Sequence, residues 1–128
     1  MPPATASPTK DALTINEAAE TSGWSARMLR YIESVGLVEP PRSPAGYRLY
    51  GPAELQRLRT LRELLSKNEL EIADVGFVQR LRREPAVDKA VNDWLDQKPE
   101  RPAGVEAEDW LSWEQEKHKR LLAGGADI

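Results

Sequence analysis

The residues of this 128-residue chain best equipped for chemistry are arginines and tyrosines crowded between Ser25 and Tyr50. Arg27, Arg30 and Tyr31 come first, then Arg42, Tyr47 and Arg48. A guanidinium is planar, permanently charged and rich in N–H donors, so it suits phosphate oxygens and the edge of guanine. That is the chemistry of holding a polyanion, not of making and breaking bonds. The ingredients of catalysis are thin. The chain has no cysteine, which excludes disulfides, cysteine-zinc sites and thiol sensing. Its single histidine, His118, lies among Lys117, Lys119 and Arg120 and is expected on a solvated helix end. Glu106, Glu108 and Asp109 read as helix-start acids rather than a catalytic pair. Gly124-Gly125 is no phosphate loop. No enzyme, metal or cofactor is implied.

The arginines and tyrosines need elements to position them. Ser25 is a suitable N-cap, and Ala26–Val35 contains neither Gly nor Pro. Met28, Leu29, Ile32 and Val35 form one apolar stripe at helical spacing, leaving Arg27, Arg30, Tyr31 and Ser34 outside it. Gly36 stands where a helix C-terminal glycine belongs. Beyond Pro40-Pro41 and Arg42, the turn Ser43-Pro44-Ala45-Gly46 leads into alternating Tyr47-Arg48-Leu49-Tyr50, which predicts a small β-hairpin. Such a helix fits a DNA major groove and such a flap reaches the neighbouring backbone. The same pattern also describes a basic, solvated helix beside an ordinary hairpin.

The stretch RMLRYIESVGLVEPPRSPAGYRLYGPAELQRLRTLREL resembles the amino-terminal DNA-binding region of the MerR family of bacterial transcription regulators. The Arg-Tyr helix, a "GL…P.R…GYR.Y" wing and a helix starting just after the last Tyr occur in that order. The resemblance covers about Leu13 to Arg83. It implies double-stranded DNA as partner, with Ser25, at the start of the recognition helix, among the residues that contact it. It implies Arg27 at a base edge and Arg30 and Tyr31 at base edges or phosphates. Arg42, Tyr47 and Arg48 would hold phosphates or reach the minor groove, while Tyr50 packs at the base of the wing and Glu33 orients an arginine. Ile32 stands where the family often has a second aromatic. The family's cysteine-dependent sensing does not carry over.

Along the chain, residues 1–12 read as a disordered leader. Thr14-Ile15-Asn16-Glu17 is a capping box, so a first helix begins at Ile15 and stops before Gly23. Trp24 then belongs in the core. Pro52 opens a third helix with the stripe Leu55, Leu58, Leu61, Leu64 and Leu65, and Arg57, Arg59 and Arg62 off it. A fourth helix is expected over 71–83. Residues 84–128 form an acidic helical extension, with helices from Pro85 to Gln97 and from Glu106 to Leu122, and Pro99 and Pro102 between them. The charge is segregated accordingly: 12 Lys and Arg against 10 Asp and Glu in residues 1–83, but 6 against 11 in 84–128. No heptad repeat supports the family's long coiled coil. Trp94 reads as core, whereas Trp110 and Trp113 read equally as core or as a partner contact.

The expected fold is therefore mainly α: a four-helix winged helix-turn-helix head over 13–83 with a small β-hairpin wing, plus two short C-terminal helices. The expected function is a sequence-specific, cytoplasmic, nucleoid-associated DNA-binding regulator. It would act as a homodimer or head-to-tail oligomer, with RNA polymerase as a further partner and no membrane. The alternatives are an excisionase-like architectural factor and a protein–protein adaptor working through Trp110 and Trp113.

Overall fold

The computed structural model describes residues 11–67, 83 and 85–124. Helix α1 (Ile15–Ser22) starts with both halves of a capping box: Thr14 Oγ1 accepts the Glu17 N–H at 3.1 Å and Glu17 Oε1 accepts the Thr14 N–H at 2.9 Å. Gly23, at φ 81°, ends it. Helix α2 (Ala26–Ser34) begins immediately after the turn, with Ser25 Oγ accepting the Met28 N–H at 3.1 Å. Its end is a Schellman closure in which the N–H groups of Gly36 and Leu37 reach the carbonyls of Glu33 and Ile32, each at 3.0 Å. Gly36 takes φ 80° there, a conformation that costs a side chain-bearing residue about 1–2 kcal/mol.

The expected β-hairpin is not formed. Among the described residues there is no regular strand, only isolated antiparallel bridges, Arg42 with Arg48 and Leu13 with Tyr50. The physical reason is the proline content: Pro40, Pro41 and Pro44 offer no N–H to a ladder. The wing is instead a tight loop, closed by Ser43 N–H to Tyr47 O and Leu49 N–H to Pro41 O, both 2.8 Å. Leu13 and Tyr50 exchange both backbone hydrogen bonds, at 2.7 and 2.9 Å, tying the segment just before α1 to the root of this loop.

Helix α3 (Pro52–Lys67) follows and buries Leu55, Leu58, Leu61 and Leu65. Helix α4 (Pro85–Asp96) packs on α3 through Val87, Val91 and Trp94. A 3-10 turn (Ala107–Asp109) leads into α5 (Trp110–Gly124), which lies against α3 and α1. All these elements share one apolar cluster, from Leu13 and Trp24 through Leu29, Ile32 and Leu58 to Trp94 and Leu111. Trp24 is buried in it, as its place in the helix-turn-helix turn suggested. The helix expected over 71–83 and most of the leader lie outside the described residues. No described helix is long and apolar enough to cross a membrane.

Candidate nucleic-acid interface

Helix α2 turns Leu29 and Ile32 inward, and Arg27 and Arg30 are exposed on its other side. Neither arginine forms an ion pair with a described residue. Tyr31 is half-buried and packs on the core edge. The Ser25 hydroxyl, one of the expected DNA contacts, accepts the capping hydrogen bond, so its oxygen serves the helix first. In the wing, Tyr47 is 72% exposed, whereas Arg48 is half-buried and Arg42 exposed.

Glu33 joins helix to wing. Its Oε1 accepts from Arg48 Nε at 2.6 Å and its Oε2 from Arg42 Nη2 at 3.1 Å. Arg42 Nη1 also donates to the Gly46 carbonyl at 3.1 Å. Burial alone would raise the Glu33 carboxyl's pKa, but the bonds and charges of Arg48 and Arg42 prevail and hold it below the ordinary value. Tyr50 is buried beneath these charges with no internal partner for its hydroxyl. Burial, and then the Glu33 charge, push its phenol up to about 12.

The arginines of α3 serve the protein's own architecture. Arg57 stacks on the Trp94 ring at 3.8 Å and donates from Nη1 to the carbonyls of Trp94 (2.7 Å) and Gln97 (2.9 Å). Arg59 holds the Glu114 carboxylate through Nε (3.0 Å) and Nη2 (3.2 Å). Arg62 lies over Trp24 at 5.0 Å and donates to Ser22 O at 3.1 Å. Trp94 donates from Nε1 to Thr60 Oγ1 at 2.8 Å. The contacts of Arg57, Arg59 and Trp94 fasten α4 and α5 to α3, and those of Arg62 fasten α3 to the end of α1 and its turn. None of the packing of α5 involves α2.

His118 departs from its sequence reading. It is 1% exposed, facing α3 with Nε2 at 2.8 Å from the Leu55 carbonyl. A carbonyl only accepts, so Nε2 carries the proton and Nδ1 is left without a partner. Burial is the largest influence on its pKa and lowers it, the Leu55 bond opposing in part. Glu114, one turn earlier, is fully buried on the same face. The inward stripe of α5 thus runs from Leu111 through two polar side chains, Glu114 and His118, which an apolar periodicity does not detect. Trp110 and Trp113 are both half-buried, with Trp113 5.8 Å from the Arg59 guanidinium and 5.2 Å from Lys117 Nζ. Among the described residues no group of three or more His, Cys, Asp or Glu side chains is placed to hold a metal ion.

A helix-turn-helix followed by a short basic loop and a long third helix defines a class of regulatory head. Residues 13–80 match the MerR HTH family regulatory protein, and this chain belongs to that family. It is 43% identical over 51 residues to heavy metal-dependent transcription regulator 2 of Rhizobium meliloti, a match covering 39% of this chain and 35% of that protein. It is 41% identical over 49 residues to the HTH-type transcriptional regulator HmrR of Rhizobium leguminosarum bv. viciae, over 38% of each. A probable heavy metal-dependent transcriptional regulator of Haemophilus influenzae is 43% identical over 51 residues, covering 39% of this chain and 40% of that protein. The chain thus matches well under half the length of these relatives. The metal dependence in two of these names describes those two proteins, and this sequence contains no cysteine.

Proposed function

We propose that this protein is a sequence-selective, duplex-DNA-binding transcription regulator that reads the major groove with α2. The observation that carries the reading is the exposed pair Arg27 and Arg30 on the outer face of a capped, core-anchored helix, beside a wing fixed to it through Glu33. A rigid helix of this kind fits the major groove, where an arginine pairs bidentately with guanine. Arg27 takes a base edge, Arg30 and Tyr31 base edges or phosphates, and the wing with Tyr47 and Arg48 the flanking backbone or minor groove. Membership of the MerR family and relatives named as transcriptional regulators support regulation over an excisionase-like architectural role. The adaptor reading loses ground because Trp110 and Trp113 are half-buried in their own chain.

One such head covers a short footprint, so useful affinity calls for two or more copies, as a homodimer or a head-to-tail array, with RNA polymerase as a further partner on the promoter. The test is selection from random duplexes with the wild type and with the double variant Arg27→Ala/Arg30→Ala, folding being checked by circular dichroism. A shared motif should emerge for the wild type and collapse in the variant, since each guanine-reading arginine is worth about 1–3 kcal/mol. No motif for the folded wild type, or the same motif from the variant, refutes the reading. Palindromic sites identify a symmetric dimer and direct repeats an array.

A further inference from the structure

The sequence treats Arg42 and Arg48 as equivalent phosphate ligands, but their hydrogen bonding separates them. Each terminal nitrogen of Arg42 gives one of its two N–H bonds to the protein itself, Nη1 to Gly46 O and Nη2 to Glu33 Oε2. Arg42 closes the loop on itself and straps it to α2. Arg48 is engaged only through Nε, at 2.6 Å from Glu33 Oε1. Its Nη1 and Nη2, with four N–H bonds between them, have no partner among the described residues. A guanidinium gripped at Nε has its plane and reach set, and it presents the fork that matches two phosphate oxygens. Its side chain is 23% exposed and that of Arg42 47%, so Arg48 is the more firmly enclosed of the two.

We propose that Glu33 is a positioning residue that sets Arg48 to clamp one DNA phosphate, while Arg42, tied at both terminal nitrogens, serves chiefly as a strap. This rests on the duplex-binding reading above and deepens it. The carboxylate brings a negative charge near the DNA, an unfavourable choice unless the orientation it supplies is worth more. An arginine side chain loses much rotamer freedom on ordering. Glu33 removes most of that loss before DNA arrives. The sign of the effect is therefore diagnostic: removing Glu33 should weaken DNA binding although it makes the surface more positive.

The experiment measures affinity of the full chain for a fluorescent duplex carrying the selected site, across a range of potassium chloride concentrations. The proteins are wild type, Glu33→Ala, Arg42→Gln and Arg48→Gln. The two arginine variants change net charge equally, so a difference between them isolates direct contact. Arg48→Gln should lower the slope of log affinity against log salt by about 0.9, the contribution of one neutralised phosphate. Arg42→Gln should lower it by less than half as much. Glu33→Ala should bind about tenfold more weakly, which is about 1.4 kcal/mol. Circular dichroism melts establish that each variant is folded, and the Arg42/Arg48 comparison stands even if Glu33→Ala does not fold. Equal slopes for the two arginine variants, or tighter binding by folded Glu33→Ala, overturns the proposal while leaving duplex binding intact. Failure of folded wild type to bind any duplex overturns the duplex-binding reading itself, and this proposal with it.

Discussion

The Arg59–Glu114 pair makes a sharp prediction about what holds the C-terminal helix in place. Glu114 is fully buried, its carboxylate gripped by Nε and Nη2 of Arg59 at 3.0 and 3.2 Å, and the Arg59 side chain is only 15% exposed. Truncating Glu114 to Ala leaves a guanidinium between α3 and α5 without its main partner. Breaking a buried pair this way costs about 3–5 kcal/mol. Arg59 keeps a second carboxylate, Glu63 at 3.5 Å, half-exposed to water, so the lower end, about 3 kcal/mol, is expected. That is a large share of the roughly 5–15 kcal/mol that keeps a domain folded. Replacing both members together, Arg59→Met with Glu114→Leu, should be close to neutral, because neither side is then left with an uncompensated charge. Urea titrations followed by tryptophan fluorescence and circular dichroism would give the cycle. With a denaturant slope of about 1–3 kcal/mol per molar, Glu114→Ala should lower the midpoint by about 1–3 M. A loss below about 1 kcal/mol, or single-variant losses that simply add in the double variant, refutes the reasoning.

His118 has a folded-state pKa below its ordinary value, so its contribution is complete above about pH 6.5 and declines as pH falls, by at most about 1.4 kcal/mol per unit. Melting temperatures from pH 7.5 to 5.5 should fall for the wild type and less for His118→Gln. Tyr50 shifts the other way: with its phenol at about 12, stability is retained below about pH 10 and lost as pH rises towards 12, a loss that melts of Tyr50→Phe should not show. At neutral pH the same variant should be no less stable than wild type, since the hydroxyl it removes is buried without an internal partner. Trp94→Phe loses the bond to Thr60 Oγ1 and part of the Arg57 stack, for about 1–2 kcal/mol by denaturant titration. Gly23→Ala should cost about 1–2 kcal/mol in the same assay, because φ is 81° and the new Cβ would sit 3.0 Å from Leu122 Cδ2.

The head of the molecule was legible because its signals are local. Thr14 with Glu17, Ser25, and Gly36 each fix a helix end through bonds within a few residues, and the stripes of α2 and α3 bury the side chains that periodicity selects. Glu33 was expected to orient an arginine, and it bonds both Arg42 and Arg48, 9 and 15 residues further along. The wing's form was not legible. Alternation at Tyr47–Tyr50 promises a strand, but the partner segment is broken by prolines that cannot donate. The tail was least legible. The seating of α5 depends on Glu114 and His118, whose partners Arg59 and Leu55 lie 55 and 63 residues away. A buried acid and a buried histidine read as solvent-facing until those partners are known. The α3 arginines were ambiguous likewise: only the folded tail shows that Arg57 and Arg59 are spoken for.

That last arrangement bears on how crowded a cell's other polyanions would find this molecule. Arg57 and Arg59 are neutralised or covered from within, by carbonyls, a tryptophan face and the Glu114 carboxylate. A chain cut between α3 and α4 would regain two bare guanidiniums on a face that has no groove to read. Such a fragment would gain grip on RNA and DNA of any sequence while gaining no discrimination. Within the extension, Glu114 is a permanent internal counter-ion to Arg59, while the carbonyls of Trp94 and Gln97 hold Arg57.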